Sequence, residues 1–489
     1  MLFAWFPITA LIFRRWPEGQ AVVISVLWGY LLLPEKIGIN LPVLPTFDKV
    51  LVPSLAAMLC LLLARRKSKK QDQIAARRAR LRDQASPENG GVDSPKATRK
   101  SRRQYPRWQR LCNLVVVMLI VACFVTWRTN REPLFYGPLV LPAMRPYDTL
   151  AMAQNLIVVL LPFWLARATL GRRDVLISVL KVFVIAGLFY SVLVLIEWRL
   201  SPQLHRWVYG FHTHSFAQHV RGGQFRAMGF VGHGLRVGMF LCLATMAAAI
   251  LVRGDPNPKN RVLWLFACLW FFPILYLSRN LGATMLAMAF VPLILMTGRR
   301  VQLLAAASLS AIVLIYPLAR GAGLIPIDAI IDQAERINPA RAQSLSFRLD
   351  NEDLLLEHAN EKPLAGWGLW SRNRVFDDRT GRDLSVTDGS WIIQIGVFGW
   401  LGYLGRFFLL CMPPILLALR GNRQNSGIEA GIGLMVTANL VDLIPNSSLV
   451  APLFLLAGAL WAVLGQTQSP PEMAVQPPKY SRKRRAVSQ

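Results

Sequence analysis

The stretch RRDVLISVLKVFVIAGLFYSVLVLIEWRL, residues 172–200, decides the fold class. Between Val175 and Ile196 its only charge is Lys181. A run of this length matches the roughly 20 residues that carry a helix across a bilayer. Backbone in hydrocarbon must satisfy its own hydrogen bonds, so such a run is helical. Reading outward, similar runs recur at about 1–13, 20–33, 49–64, 111–127, 148–167, 174–196, 228–251, 262–278, 281–297, 301–318, 401–419, 427–444 and 449–465. The sequence therefore predicts an all-α, polytopic transmembrane bundle of about thirteen spans. Basic clusters stand at Arg14-Arg15, 65–110, Arg172-Arg173, Arg253 to Arg261, Arg299-Arg300, Arg420 to Arg423 and the C-terminal tail. With alternating spans they all fall on one side, as the positive-inside rule expects, leaving the N-terminus outside and the tail inside.

The net charge of +28 does not point to nucleic acid. Residues 65–110 hold 16 Lys/Arg against 4 Asp/Glu, and KYSRKRR at 479–485 adds another cluster; both flank membrane helices and suit anionic lipid. The six cysteines (60, 112, 123, 242, 268 and 411) lie in or beside apolar runs, as small core residues rather than disulfides or metal ligands. Arg14 and Arg15 follow the first apolar run instead of preceding it, so no cleavable signal peptide is expected. The expected organisation is N-terminal membrane helices (1–64), a basic linker (65–110) with a helix near 71–84, central membrane helices (111–318), a folded helical loop (319–390), C-terminal membrane helices (391–466) and a basic tail (467–489).

The loop 319–390 carries 12 acidic and 9 basic residues on the side opposite the basic clusters. Ile327, Ile330, Ile331, Ala334 and Ile337 keep helical spacing after Pro326. Asp350 suits the N-cap of a second helix through His358, with Asp353 at N3. Arginines on this side run against the charge bias and need a reason. Arg226 opens the seventh predicted span in GQFRAMGFVGHG, Ser278-Arg279 sits between two apolar runs, and Arg348 lies in SLSFRLDNEDLLLEH. Each alone suits a structural ion pair. Together, with Asp388, they suit an anion site, because the guanidinium fork matches phosphate oxygens. His212, His214 and His219 have a metal-like spacing that nothing completes, so no metal site is expected. KPLAGWGLW (362–370) and TDGSWIIQIGVFGWLGYLG (387–405) bring glycines suited to close backbone approach.

In order and sidedness these pieces resemble the O-antigen ligase / O-antigen polymerase family of bacterial envelope glycan enzymes. The resemblance rests on Arg226, Gly229, Phe230 and His233; on Ser278 and Arg279; on Arg348, Pro363, Leu364, Gly366 and Gly368; and on Gly399 and Gly402. It covers about residues 220–410. The chain departs from the family pattern where a His-Asn pair is expected, and carries Thr387-Asp388-Gly389 instead. The resemblance implies a GT-C-type helical bundle in the inner membrane, with its active site facing the periplasm. It implies transfer of a glycan from undecaprenyl diphosphate to a glycan or lipid A-core hydroxyl, without metal, nucleotide or other cofactor. Arg226, Arg279 and Arg348 would then bind the diphosphate. The base would be Asp388, with His358 and His233 as further candidates, though Asp388 also suits a helix cap. Partners implied are the lipid-linked donor, the acceptor, membrane lipids and other polysaccharide-assembly proteins, with no nucleic acid. The departure at 387–389 leans towards an exopolysaccharide-type polymerase. The competing readings are a transporter (flippase) of lipid-linked glycan, which internal repeats and mid-membrane polar residues would favour, and a sensor or scaffold docking through 65–110.

Overall fold

The computed structural model describes residues 1–85, 107–213, 216–221, 223–420 and 427–466. They form a helical bundle with two short hairpins. In chain order the helices are α1 (Trp5–Arg15), α2 (Glu18–Leu32), α3 (Leu51–Ala85), α4 (Arg107–Arg128), α5 (Pro146–Thr169), α6 (Arg173–Leu200), α7 (Leu204–Tyr209), α8 (Gly234–Gly254), α9 (Pro258–Leu277), α10 (Leu281–Met296), α11 (Arg299–Gly321), α12 (Ile327–Ile337), α13 (Pro339–Asn360), α14 (Ser390–Leu419), α15 (Gly427–Asp442) and α16 (Ala451–Leu464). Hairpins β1–β2 (Leu134–Tyr136, Leu139–Leu141) and β3–β4 (Val220–Arg221, Gln224–Phe225) precede α5 and α8. Helix α8 is central, enclosed by α6, α9, α10 and α15.

Every predicted run contributes to a helix, but thirteen spans are not supported. Among the described residues seven helices are long and apolar enough to cross a membrane: α4, α5, α6, α8, α9, α11 and α14. The 15, 16 and 14 residues of α2, α10 and α16 fall short of that length. Hydropathy registers an apolar run whether or not its helix reaches the roughly 30 Å of a hydrocarbon core at 1.5 Å per residue. The basic loops do share one end. Arg65 donates to the Ala168 carbonyl, Arg253 to Ile294, and Arg420 to Leu464. Helix α3 runs unbroken from its apolar start through Ala85, absorbing the helix expected at 71–84; the rest of that linker to 106, and the tail 467–489, lie outside the described residues.

At the opposite end residues 319–390 form a cap. Helix α12 matches the expected isoleucine pattern. The second helix does not begin at Asp350 but at Pro339, and Asp350 lies inside α13, paired with the Ser346 hydroxyl. Arg320 anchors α13 to the bundle through the Leu349 carbonyl (3.2 Å) and Asp353 (2.7 Å).

The glycines of KPLAGWGLW and WIIQIGVFGWLG explain each other. Helix α14 breaks at Gly399, whose φ of 64° favours glycine. In an unbroken helix the amides of Trp400 and Leu401 would bond to the carbonyls of Gly396 and Val397. Here the segment 363–368 is inserted between them. Trp367 and Gly368 donate to those carbonyls at 2.8 and 3.0 Å, and Trp400 and Leu401 donate to Pro363 and Leu364 at 2.7 and 3.3 Å. The Ala365 and Gly366 carbonyls accept from Thr126 and Asn130 of the α4 end at 2.7 and 2.9 Å. A Cβ at Gly366, where φ is 68°, would stand 2.5 Å from the Gly399 amide. Arg406 bridges the break to Gln394 and lies 4.4 Å from the Phe398 ring centre.

Gly366→Val is therefore expected to cost at least about 2 kcal/mol, because it combines a disallowed φ with expulsion of the inserted segment. Thermal unfolding and the monodisperse fraction in detergent would show this. Leu364→Ala, at an exposed neighbouring side chain, should stay near wild type.

Candidate functional site

At the cap end, the entry to α8 is built around one buried carboxylate. Glu197, near the end of α6, accepts from the backbone amides of Met228 and Gly229 at 2.7 Å and of Leu204 at 3.1 Å. These bonds hold the turn after Arg226, whose own amide donates to the His219 carbonyl at 2.7 Å. Helix α8 thus starts at Gly234, not at 228, and Arg226 precedes it in an irregular connection. The Arg226 side chain is buried and lies across Gly234, where a Cβ would stand 2.8 Å from its Cγ, Cδ and Nε. His233 caps α8: its Nδ1 accepts from the Leu235 amide at 3.1 Å. With Nδ1 an acceptor, the proton of neutral imidazole sits on Nε2, which makes His233 a donor rather than a base.

The junction of α9 and α10 is Ser278-Arg279-Asn280. The Ser278 hydroxyl returns to the Leu275 carbonyl at 2.7 Å. Asn280 caps α10 and donates to the Leu235 carbonyl at 3.0 Å, tying the junction to the first turn of α8. Between them Arg279 adopts φ 55°, a conformation uncommon for a non-glycine residue. Its guanidinium carbon lies 5.5 Å from the Tyr276 ring centre, and its Nε is buried without a hydrogen bond among the described residues.

The end of α15 continues this polar layer. Asp442, the last residue of α15, is buried. Asp442 Oδ1 accepts from Asn446 at 2.9 Å. Asp442 Oδ2 and both amide atoms of Asn439 are buried and make no hydrogen bond among the described residues. Buried polar atoms are almost always paired, so such a group marks a place for water or ligand. The Asn446 carbonyl accepts from the Ser390 amide and hydroxyl at 3.1 and 3.0 Å, which fixes the start of α14. Two residues earlier Asp388 pairs with Arg348 Nε of α13 at 3.5 Å, and Arg348 also donates to the Pro445 carbonyl at 3.4 Å. Hydrogen bonds thus link Asp442 through Asn446 to Ser390 at the start of α14, and two residues earlier Asp388 pairs with Arg348. Asp388 serves an ion pair, and no side-chain bond caps α14.

His358 stands apart, ten residues and about 15 Å of helix beyond Arg348. Its Nε2 bonds to the Arg372 carbonyl at 3.0 Å, its Nδ1 faces Glu361 at 3.4 Å, and its ring stacks on Trp367 at 4.3 Å. These contacts lock the inserted segment to α13 and place His358 in the architecture rather than among the arginines. Among the described residues no three His, Cys, Asp or Glu gather as a metal would require; His214 lies outside them.

Two residues escaped the sequence, Glu352 and Glu197. Glu352, one turn after Arg348, is buried between the Tyr316 hydroxyl and the Trp391 indole, 3.3 Å from each. Burial pushes its carboxyl up to about 7, against the opposing pull of the Trp391 and Tyr316 hydrogen bonds and the Arg320 charge. In SFRLDNEDLLLEH it is one acid among several, and only its i+4 spacing from Arg348 sets it on that face. Glu197 is likewise a lone acid at the end of an apolar run.

No family model, curated protein or solved structure matches the chain.

Because folding raises the Glu352 carboxyl from 4.5 to about 7, the folded state holds its proton more tightly. The stability this confers is complete below pH 4.5 and is lost as pH rises to about 7. Glu352→Gln should flatten that decline: the thermal midpoint of wild type should drop between pH 5 and pH 8 by several degrees more than that of the variant. Parallel curves would show that Glu352 does not titrate there.

Proposed function

We propose that the chain is a membrane glycosyltransferase that moves a glycan from a polyprenyl diphosphate, undecaprenyl diphosphate in a bacterium, to an acceptor hydroxyl. The observation that supports this reading is the set of groups at the cap end: Arg348 paired with Asp388, Arg226 buried across Gly234 at the entry to α8, and the Arg279 junction tied to that helix start through Asn280. They are of the kinds that a diphosphate-leaving reaction requires. Three guanidinium groups supply planar donors for phosphate oxygens. Charge on the diphosphate grows as the glycosyl bond breaks, so donors fixed in advance favour the transition state.

In this reaction the acceptor oxygen attacks the anomeric carbon. The bond from that carbon to the diphosphate oxygen breaks, and its electron pair leaves on the diphosphate. Asp388 takes the acceptor proton. Arg348 holds the Asp388 carboxylate in place before substrate arrives. His233, with its proton on Nε2, joins the phosphate donors instead of serving as base. Arg226 and Arg279 approach from the start of α8, and Arg348 from the cap.

The same reading puts the bundle in the inner membrane, with the cap in the periplasm and the basic end in the cytoplasm. It takes the architecture as GT-C-like with all thirteen apolar runs embedded, the shorter helices accommodated by local thinning or by oligomer contacts. Acceptors are a growing glycan or a lipid A-core sugar, and other polysaccharide-assembly proteins are its expected neighbours.

Purified wild type, supplied with undecaprenyl-diphosphate-linked oligosaccharide and acceptor, should transfer or lengthen the glycan. Arg279→Ala should lower the rate about 100-fold or more, and Arg279→Lys should recover only part, since it keeps the charge but loses the fork. Asp388→Asn should lower kcat about 100-fold or more with little change in KM for the donor. Product size separates polymerase from ligase. If wild type leaves every donor intact yet moves it across liposomes, the arginines serve a transporter and the transferase reading fails.

A further inference from the structure

A second polar group at the cap end lies outside the layer described above, and it opens into a cavity. The cavity holds about 160 Å³, room for a segment of a hydrocarbon chain. Its walls are apolar: Val26 from α2, Pro53 from α3, Val159 and Pro162 from α5, and Phe454 from α16. One end is charged. Glu35 bridges Lys49 at 3.4 Å and Arg236 at 2.8 Å, and Lys49 also donates to the Phe230 carbonyl at 3.0 Å. Two cations face the Glu35 carboxylate, and Asp48 at the start of α3 acts on Lys49 from outside the pair. Lys49 is buried, which is costly unless a further anion offsets it. The hydrogen bonds of Arg236 among the described residues all run through Nη1, to Glu35 and the Val231 carbonyl, so Nη2 and Nε remain for another acceptor. Ser54 adds an independent sign. It is 1% exposed, lines the cavity, and its hydroxyl makes no hydrogen bond among the described residues. An apolar slot with a cationic end and an orphaned hydroxyl fits an amphiphile with an anionic head.

We infer that this cavity binds a phosphate-headed lipid, its hydrocarbon chain between α2, α3, α5 and α16 and its phosphate at Lys49 and Arg236. The shared chemistry belongs both to polyprenyl phosphates and to diacyl phospholipids. The choice of a polyprenyl phosphate rests on the transferase reading. Arg236 belongs to the first turn of α8, whose entry carries Arg226, so a lipid seated here has its head beside the diphosphate site.

The test uses the full-length protein in detergent. Polyprenyl phosphate, the neutral polyprenol and phosphatidylglycerol are offered separately, and retained lipid is read by native mass spectrometry. A photoreactive polyprenyl phosphate maps the contact. Polyprenyl phosphate should be retained and polyprenol lost, with crosslinks in α2, α3, α5 or α16. Arg236→Gln, which removes the cation, and Val159→Trp, which fills the slot, should each weaken binding about tenfold or more. Circular dichroism and gel filtration confirm that both variants fold. Equal retention of polyprenol, unchanged binding by both folded variants, or crosslinks confined elsewhere would overturn the inference. Phosphatidylglycerol displacing the probe at equal concentration would support the phosphate-headed class and overturn the polyprenyl assignment. Glycan transfer is followed in the same preparations. Binding without transfer by wild type sinks the transferase reading and leaves the cavity standing. Transfer with an unaltered donor KM in both variants sinks the cavity alone.

Discussion

A backbone amide in hydrocarbon has no water to bond to, and leaving it unpaired costs several kcal/mol. The break of α14 at Gly399 would leave two amides and two carbonyls without their helical partners. The segment 363–368 takes both carbonyls and covers both amides, so four bonds replace two. Because it is held between α14 and the end of α4, the chain on either side has fixed starting points. Upstream, α13 is drawn to the bundle through His358 and Trp367. Downstream, Asp388 leads directly into α14. The cap that carries Arg348 and Glu352 is thus docked through a backbone insertion, and the pairing of Arg348 with Asp388 follows from that docking.

Charge in this protein is arranged by what offsets it. Arg406 lies within the bundle, and its cost is met locally by Gln394 and the face of Phe398. Arg372 is spent on the carbonyls of Glu132 and Pro142, bracing the β1–β2 hairpin. These two have structural occupations. Arg279 leaves a buried Nε without a hydrogen bond, as Arg372 also does, and adds a strained backbone that no neighbour among the described residues offsets. Asn439 and Asp442 carry the same kind of debt a short way along the layer. Unmet polar capacity concentrated at one end of a bundle is a stronger pointer to a ligand than any single arginine.

Much of this was legible in the sequence because it depends on local pattern. Apolar runs marked the helices, isoleucine spacing marked α12, and the abrupt Ser278-Arg279 junction stood between two of those runs. The start of α13 was not legible. Asp350 with Asp353 forms an acceptable capping pair, but helix signals compete, and Pro339 suits a helix start equally well. Among the described residues seven helices rather than thirteen are long and apolar enough to cross a membrane, because hydropathy measures composition while a span also requires length. Glu197 and Glu352 were invisible for another reason: what distinguishes them from other acids is burial against distant chain, and burial has no local signature. The match of Gly366 with Gly399 was legible only as two separate glycine-rich runs, since their fit is made in space.

The two carboxylates near Arg348 sit in opposite environments, and that contrast bears on the proposed chemistry. Asp388 is half-exposed and faces a guanidinium, whereas Glu352 is buried between an indole and a phenol. Environments that separate two acids in this way assign them different tasks. In the proposed transfer a diphosphate arriving at Arg348 would compete with Asp388 for the same guanidinium, so donor binding would free the carboxylate proposed to take the acceptor proton. Glu352 keeps its contacts with Tyr316 and Trp391 throughout, and so holds the α13 turn that presents Arg348.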